Sequence, residues 1–380
     1  MQFFDLAAQQ ARIKDRIDER IQTVLAHGSY ILGPEVAEFE TALAAFCGAK
    51  HAIGCANGTD ALQLALMALG IEAGDAVFCP SFTFAATAEV VPWVGATPVL
   101  VDVDPATFNM DAESLKRAIA HARQIGLNPA MVMPVDLFGL PADYPTLTAI
   151  ARAEGMKMIC DSAQGFGGLV GNTMTGRFGD VTTTSFFPAK PLGCYGDGGA
   201  ILTEDDDLAE LMSSLRFHGK GSYKYDNVRI GMNSRLDTLQ AAILLEKIAI
   251  YDDEIAARQR VAERYTMALK ERFVTPHVPA GMRSIWAQYT LRASSEAERD
   301  AALEHLRSQE IPTAVYYPRP LHQQTAYAGF PADPAGLPES EAAARTVFSL
   351  PMHPYLDEHA QARIIEACLS VPAVKDAEPS

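Results

Sequence analysis

The stretch Ser185-Phe186-Phe187-Pro188-Ala189-Lys190-Pro191-Leu192-Gly193-Cys194-Tyr195-Gly196-Asp197-Gly198-Gly199 sets one lysine on a shaped loop. Pro188 and Pro191 remove two amide donors and exclude a regular helix around Lys190. Glycines at 193, 196, 198 and 199 allow tight turns or close backbone approach. Phe186, Phe187, Leu192 and Tyr195 surround the lysine with apolar surface. An amine held among such groups loses solvation, its pKa falls, and the neutral form attacks carbonyls to give a Schiff base. A surface lysine in a turn is the plainer reading of the same residues.

Three further stretches carry groups that such chemistry needs. Ala56-Asn57-Gly58-Thr59-Asp60 opens a helix, so Gly58 and Thr59 offer free amides and a positive dipole end to an anion. Capping by Asn57, Thr59 or Asp60 uses the same position without excluding an anion. In Pro80-Ser81-Phe82-Thr83-Phe84 two aromatics alternate with hydroxyls, which lets one ring face a pocket and stack on a flat ligand. Asp161 ends the apolar run Met156–Cys160, where a carboxylate is costly to bury without a cation or several donors. The glycines of Gly165-Phe166-Gly167-Gly168 follow that acid and have no acidic residue at the required distance, so they are no dinucleotide fingerprint. His322, His353 and His359 match no metal spacing, and Gly-x-Ser-x-Gly and Ser-x-x-Lys are absent, so neither a metal site nor a serine hydrolase is expected.

Short apolar runs alternating with helical patterns must position these groups. Candidate strands are 51–55, 76–79, 97–101, 130–134, 156–160, 181–186 and 200–203, preceded by amphipathic helices over 6–27 and 35–46. This alternation predicts a mainly parallel sheet covered by helices, with ligands at the carboxyl ends of its strands. One long helix is expected from Thr238 to about Ala268. A smaller α+β unit follows, with strands 284–293 and 312–317, helices 296–308 and 357–369, and a frayed tail over 376–380. The division is a large domain, 1–250, and a small one, 251–380.

The 380 residues are 48% apolar and 21% charged, an ordinary globular composition, with net charge −16. That acidity, without any basic run, speaks against a nucleic-acid partner while allowing a local cationic pocket. Six cysteines show no Cys-x-x-Cys pair and suit buried thiols in a reducing compartment. The region 76–101 is interrupted by Pro80, Glu89, Pro92 and Pro98, so no membrane span is expected there. The start lacks a basic-then-apolar signal. A cytoplasmic protein is expected.

Five motifs occur in order: Asn57-Gly58-Thr59-Asp60-Ala61-Leu62, Pro80-Ser81-Phe82-Thr83-Phe84, Asp161-Ser162-Ala163-Gln164, Ser185-Phe186-Phe187-Pro188-Ala189-Lys190 and Asn233-Ser234-Arg235. This constellation resembles the DegT/StrS-type aminotransferases, from Phe4-Asp5-Leu6 to Leu350-Pro351-Met352-His353-Pro354. The resemblance implies a three-layer α/β/α aspartate-aminotransferase-like large domain of fold type I, a smaller α+β C-terminal domain, and a homodimer with shared sites. It also implies pyridoxal 5′-phosphate as cofactor. Lys190 then matches the Schiff-base and proton-shuttling lysine, and Asp161 the partner of the pyridine nitrogen. Gln164 matches the neighbour of the ring oxygen and Phe84 the stacking ring. Gly58, Thr59 and Ser185 match the phosphate cradle, which Asn233 of the partner subunit completes. Members with histidine at the position of Lys190 are dehydratases, so lysine implies transamination.

The run 311–318 with Pro320-Leu321-His322, and the run 233–244, look most like the branch acting on UDP-2-acetamido-2-deoxy-3-oxo-glucuronate with glutamate as donor. Arg235, Tyr316, Tyr317 and His322 are the substrate contacts this implies. Arg235 suits a carboxylate through a paired hydrogen bond, and equally an interface salt bridge. Histidine is common in that branch where Tyr316 stands here, which leaves open a neutral 3- or 4-keto sugar on a UDP, dTDP or GDP carrier. A non-catalytic cofactor-binding regulator is the alternative of a different class.

Overall fold

The computed structural model describes residues 1–223 and 225–373, so the tail over 376–380 lies outside it. Helix α1, Leu6–His27, starts where the Asp5 carboxylate accepts from the Ala8 amide, and it ends at Gly28. Gly28 has φ 70°, the left-handed conformation in which glycine carries no Cβ penalty. Helix α2 spans Pro34–Cys47.

The alternation then gives β1 His51–Cys55, α3 Gly58–Ala68, β2 Asp75–Pro80, α4 Ala86–Trp93, β3 Thr97–Val101, α5 Ala112–Gln124 and β4 Asn128–Val132. It continues with α6 Tyr144–Ala153, β5 Lys157–Asp161, a small hairpin of β6 Leu169–Val170 and β7 Thr173–Met174, then β8 Val181–Ser185 and β9 Gly199–Thr203. Seven strands form one sheet in the order β1-β9-β8-β5-β4-β2-β3. Only β9 runs against its neighbours β1 and β8, so the mainly parallel sheet holds. The strands are buried along nearly their whole length because helices cover both faces. Gly199 on β9 pairs with Cys55 on one side and Ser185 on the other, which sets the loops after β1 and β8 side by side. A Cβ on Gly199 would stand 2.4 Å from the Asn57 carbonyl, so this closeness requires glycine.

Beyond the sheet come α7 Asp206–Leu215, α8 Thr238–Ile248 and α9 Tyr251–Leu269. The single helix expected from Thr238 is therefore two, parted at Ala249 and Ile250. Helix α8 is buried on almost every side within one core, whereas α9 must turn one side to a second core. That core joins Val261, Ala262, Tyr265 and Leu269 to the C-terminal strands and helices. Its strands and helices are β10 Met282–Arg283, β11 Tyr289–Arg292, α10 Glu296–Ser308, α11 Pro338–Thr346, β12 Val347–Leu350 and α12 Glu358–Leu369. The strand expected over 312–317 is irregular chain with a single bridge, Ala314 to Ser349, since Pro312 and Pro318 bring no amide donors. The strand expected over 284–293 shrinks to β11, and β10 pairs instead with β6 of the large domain. The chain between the small-domain elements also returns to the large core, where Leu321, Tyr327 and Leu337 pack. No helix among the described residues is long and apolar enough to cross a membrane.

Candidate active site

The loops leaving the carboxyl ends of β1, β2, β5 and β8 meet around a cavity of about 640 Å³. Nine of the twelve residues singled out from the sequence line it: Gly58, Thr59, Phe84, Asp161, Gln164, Ser185, Lys190, Tyr316 and Tyr317. Asn233, Arg235 and His322 do not line it.

Lys190 stands on a turn closed by its own amide to the Phe187 carbonyl (2.8 Å) and by the Cys194 amide to the Phe186 carbonyl (2.8 Å). Phe186 and Leu192 are buried beneath the turn, while Phe187 is 52% exposed and lines the cavity. Helix α8 holds the far side of the turn: the Lys247 ammonium donates to the Gly193 carbonyl, and the Gln240 carbonyl oxygen accepts from the Tyr195 amide at 2.9 Å. The half-buried Lys190 amine has no hydrogen bond or ion pair among the described residues. Burial lowers its pKa, and the nearby Asp161 charge works against that fall. The result is an amine free to condense with a carbonyl.

Asp161 ends β5 and is buried at 5% exposure. Its carboxylate accepts from the Thr87 hydroxyl (2.9 Å) and the Ala163 amide (3.1 Å). Burial raises its pKa, against those two donors and Lys190. A cation supplied by a ligand would reverse that balance and hold the carboxylate ionised. Three residues on, Gln164 accepts from the Phe138 amide (2.9 Å) and donates to the Tyr317 hydroxyl (3.2 Å), which fixes its side chain against the cavity wall. Burial pushes the Tyr317 hydroxyl pKa up, so the phenol stays protonated.

The first turn of α3 faces the same space. Asn57 caps the helix by accepting from the Asp60 amide (2.8 Å), and Gly58 and Thr59 bring the free amides of the first turn to the cavity. A Cβ on Gly58 would stand 2.8 Å from the Ser185 Cβ, so only glycine lets the helix end close on the Ser185 hydroxyl. Amides, dipole end and hydroxyl together make an anion cradle. Across from it, the Phe84 ring is 56% exposed and tilted 40° to Tyr317 with centroids 6.4 Å apart. Its open face can take a stacked ring. An amine without a partner, a buried acid, a stacking face and an anion cradle on one wall match the four parts of a phosphorylated pyridine aldehyde.

The other three predicted residues sit elsewhere in this chain. The His322 ring is bonded through Nδ1 to the Ser81 hydroxyl (2.8 Å) and through Nε2 to Glu341 (3.1 Å), so it ties the small domain to the loop after β2. Asn233 is exposed and bridges to Phe217. The Arg235 guanidinium lies over the Phe217 ring, 4.8 Å from its centroid, with Nε unbonded. Conversely, Phe4, Asp60, Thr87, Asp197 and Gln288 line the cavity without having been assigned a site role from the sequence. Asp60 was legible as part of a helix start, but Phe4 and Gln288 arrive from distant elements and carry no local signal.

A family model described as the DegT/DnrJ/EryC1/StrS aminotransferase family matches residues 11–369. The chain is 49% identical over 371 residues to the UDP-2-acetamido-2-deoxy-3-oxo-D-glucuronate aminotransferase of Pseudomonas aeruginosa, covering 97% of this chain and 99% of that one. It is also 41% identical over 366 residues to a Geobacillus stearothermophilus protein named pleiotropic regulatory protein, covering 95% and 96%. The crystal structure of a DegT DnrJ EryC1 StrS aminotransferase from Brucella abortus superposes with a TM-score of 0.95 at 56% identity, covering 97% and 98%. Match of motif order, fold and length agree, and the chain belongs to the DegT/DnrJ/EryC1/StrS aminotransferase family.

Proposed function

We propose that this protein transfers an amino group from L-glutamate to a nucleotide-linked ketosugar, with UDP-2-acetamido-2-deoxy-3-oxo-D-glucuronate as the substrate and pyridoxal 5′-phosphate as the cofactor. The observation that carries the reading is the unpartnered Lys190 amine facing the same cavity as the buried Asp161 and the α3 cradle. Bound there, the cofactor supplies an aldehyde that condenses with amines and a ring that accepts the electrons of the carbanion. Lys190 would hold the aldehyde, and its amine would move the proton at the substrate carbon. Asp161 would keep the ring nitrogen protonated, Gln164 would neighbour the ring oxygen, and Phe84 would stack on the ring. Gly58, Thr59 and Ser185 hold the phosphate.

The substrate side rests on the 49% identity to the glucuronate aminotransferase and on charge. Among the described residues the cavity wall of one chain offers Asp60, Asp161 and Asp197 and a single cation, Lys190. The Gly58, Thr59 and Ser185 cradle serves the cofactor's phosphate, but this lining brings no further cation for a diphosphate and a uronate. A second copy would bring Asn233 and Arg235, as expected of a homodimer with shared sites. Supporting this, the chain just before them is apolar yet exposed: Tyr223 at 64%, Val228 at 54% and Ile230 at 88%. We place the domain division at 250/251, where α9 begins. The six cysteines, all free and buried, suit a cytoplasmic enzyme.

The second reading, a cofactor-binding regulator without turnover, is favoured by the names of relatives such as the Geobacillus protein and not by the site. Two measurements separate the readings. The purified holoprotein should be yellow, with borohydride fixing the cofactor to the peptide containing Lys190. It should also turn over the 3-oxo-glucuronate with glutamate. Label on another lysine would overturn the site, and labelling of Lys190 without turnover of any nucleotide ketosugar would favour the regulator.

A further inference from the structure

Asp136 follows β4 and is fully buried, directly behind the turn that presents Asp161 and Gln164. Its amide donates to the Asp161 carbonyl (3.0 Å), and the Asp161 amide donates to the Pro134 carbonyl (2.9 Å). One carboxylate oxygen accepts from the Ser162 hydroxyl; the other accepts from the Tyr144 hydroxyl (2.6 Å) and the Ala142 amide (2.9 Å). A Cβ on Gly165 would stand 2.2 Å from the Asp136 Cβ, so the acid fills the space under the turn and glycine is required above it. None of the chemistry assigned above uses Asp136.

We propose that Asp136 is a positioning residue for amino transfer, which holds the Asp161–Gly165 turn through Ser162 and stands as a second acid behind Asp161. The inference rests on the reading of Asp161 as the partner of the cofactor's ring nitrogen. Two consequences follow from the arrangement. The bonds to Ser162 and the Asp161 carbonyl fix where the Asp161 carboxylate points. The Asp136 charge, when present, adds negative potential to the site and favours protonated forms of the bound cofactor.

The groups facing Asp136 are Tyr144 on α6 and Cys160 and Asp161 on β5. Burial drives the Tyr144 and Cys160 pKa values well above their usual range, so near neutral pH neither is charged. Burial also pushes the Asp136 carboxyl up to about 7, against its three donors. Its charge is thus present above neutral pH and lost below it.

The test is a pH titration of the cofactor's visible absorption in holoenzyme carrying Asp136→Asn, which keeps the shape and removes the charge. The midpoint should fall by about 0.5–1 pH unit, because a neighbouring anion no longer favours the protonated form. Tyr144→Phe removes one donor, raises the Asp136 pKa and should move the midpoint the same way by less. An unmoved midpoint in both variants overturns the proposal. If Asp136→Asn fails to fold, Tyr144→Phe decides alone. Asp161→Asn serves as the reference: an unchanged spectrum there sinks the reading of Asp161 itself. A spectrum altered by Asp161→Asn but indifferent to Asp136 and Tyr144 sinks only the present inference.

Discussion

Arg235 shows how much a single residue has to settle. Its guanidinium rests on the Phe217 ring and has an unbonded Nε, so it is placed but not used up by its own chain. If it meets the uronate of a substrate bound in the partner's cavity, Arg235→Lys loses the planar fork that pairs with a carboxylate. Loss of one charge-assisted contact of this kind costs about 2–5 kcal/mol, so kcat/KM for the uronate should drop roughly thirtyfold or more. A neutral ketosugar should be much less affected while the cofactor spectrum stays normal. Equal losses on both substrates would make Arg235 an interface or cofactor-shell residue. Residues like Arg235, Lys190 and Asp161 were legible because each sits in a short motif with its neighbours in sequence. Asp136 and Gln288 were not assigned roles, since their places at or behind the cavity come from contacts between elements far apart in the chain.

At the scale of elements, α8 is the piece that joins the site to the rest of the fold. Gln240 and Lys247, two turns apart on it, grip the amide of Tyr195 and the carbonyl of Gly193. Lys247 is 1% exposed, lies 4.3 Å from the Tyr195 ring centroid, and is pulled down to about 8 by burial. Lys247→Met keeps the bulk but strands the Gly193 carbonyl, costing about 1–3 kcal/mol. The melting temperature should fall by several degrees below pH 8, and cofactor reloading at Lys190 should slow. The sign with pH is fixed by the lowered folded-state value: between about 8 and 10.5 the unfolded chain binds the extra proton, so the parent gains stability there as pH rises. The gap between parent and variant should therefore widen in that window, read from melts of both proteins. A constant gap, with reloading unchanged, would mean that the clamp does not matter. The sequence showed α8 only as the front of one long helix. Its burial on every side erased the amphipathic contrast that would have marked its end at Ile248.

For the whole molecule, the mainly parallel sheet and the loop positions follow from alternation of strand and helix, but the completeness of the site does not. One chain carries net charge −16 and a cavity wall with three acids against one lysine, yet its proposed ligands are multiply anionic. Asn233 and the apolar residues Val228 and Ile230 are exposed and do not line its own cavity. Both facts are accounted for if two copies exchange these segments across a twofold axis. The consequence can be read by complementation. Lys190→Ala removes the lysine from a subunit's own site, and Asn233→Ala removes a phosphate contact from its neighbour's. In a mixed dimer one site then carries both defects and the other carries neither. After random exchange of equal amounts, half the dimers are mixed and each holds one intact site, so about one quarter of the parent activity should return. Each variant alone should stay near its background. Mixed dimers verified by differently tagged subunits that recover nothing would show that each chain completes its own site, and the cations for the nucleotide sugar would then have to come from motion of the small domain.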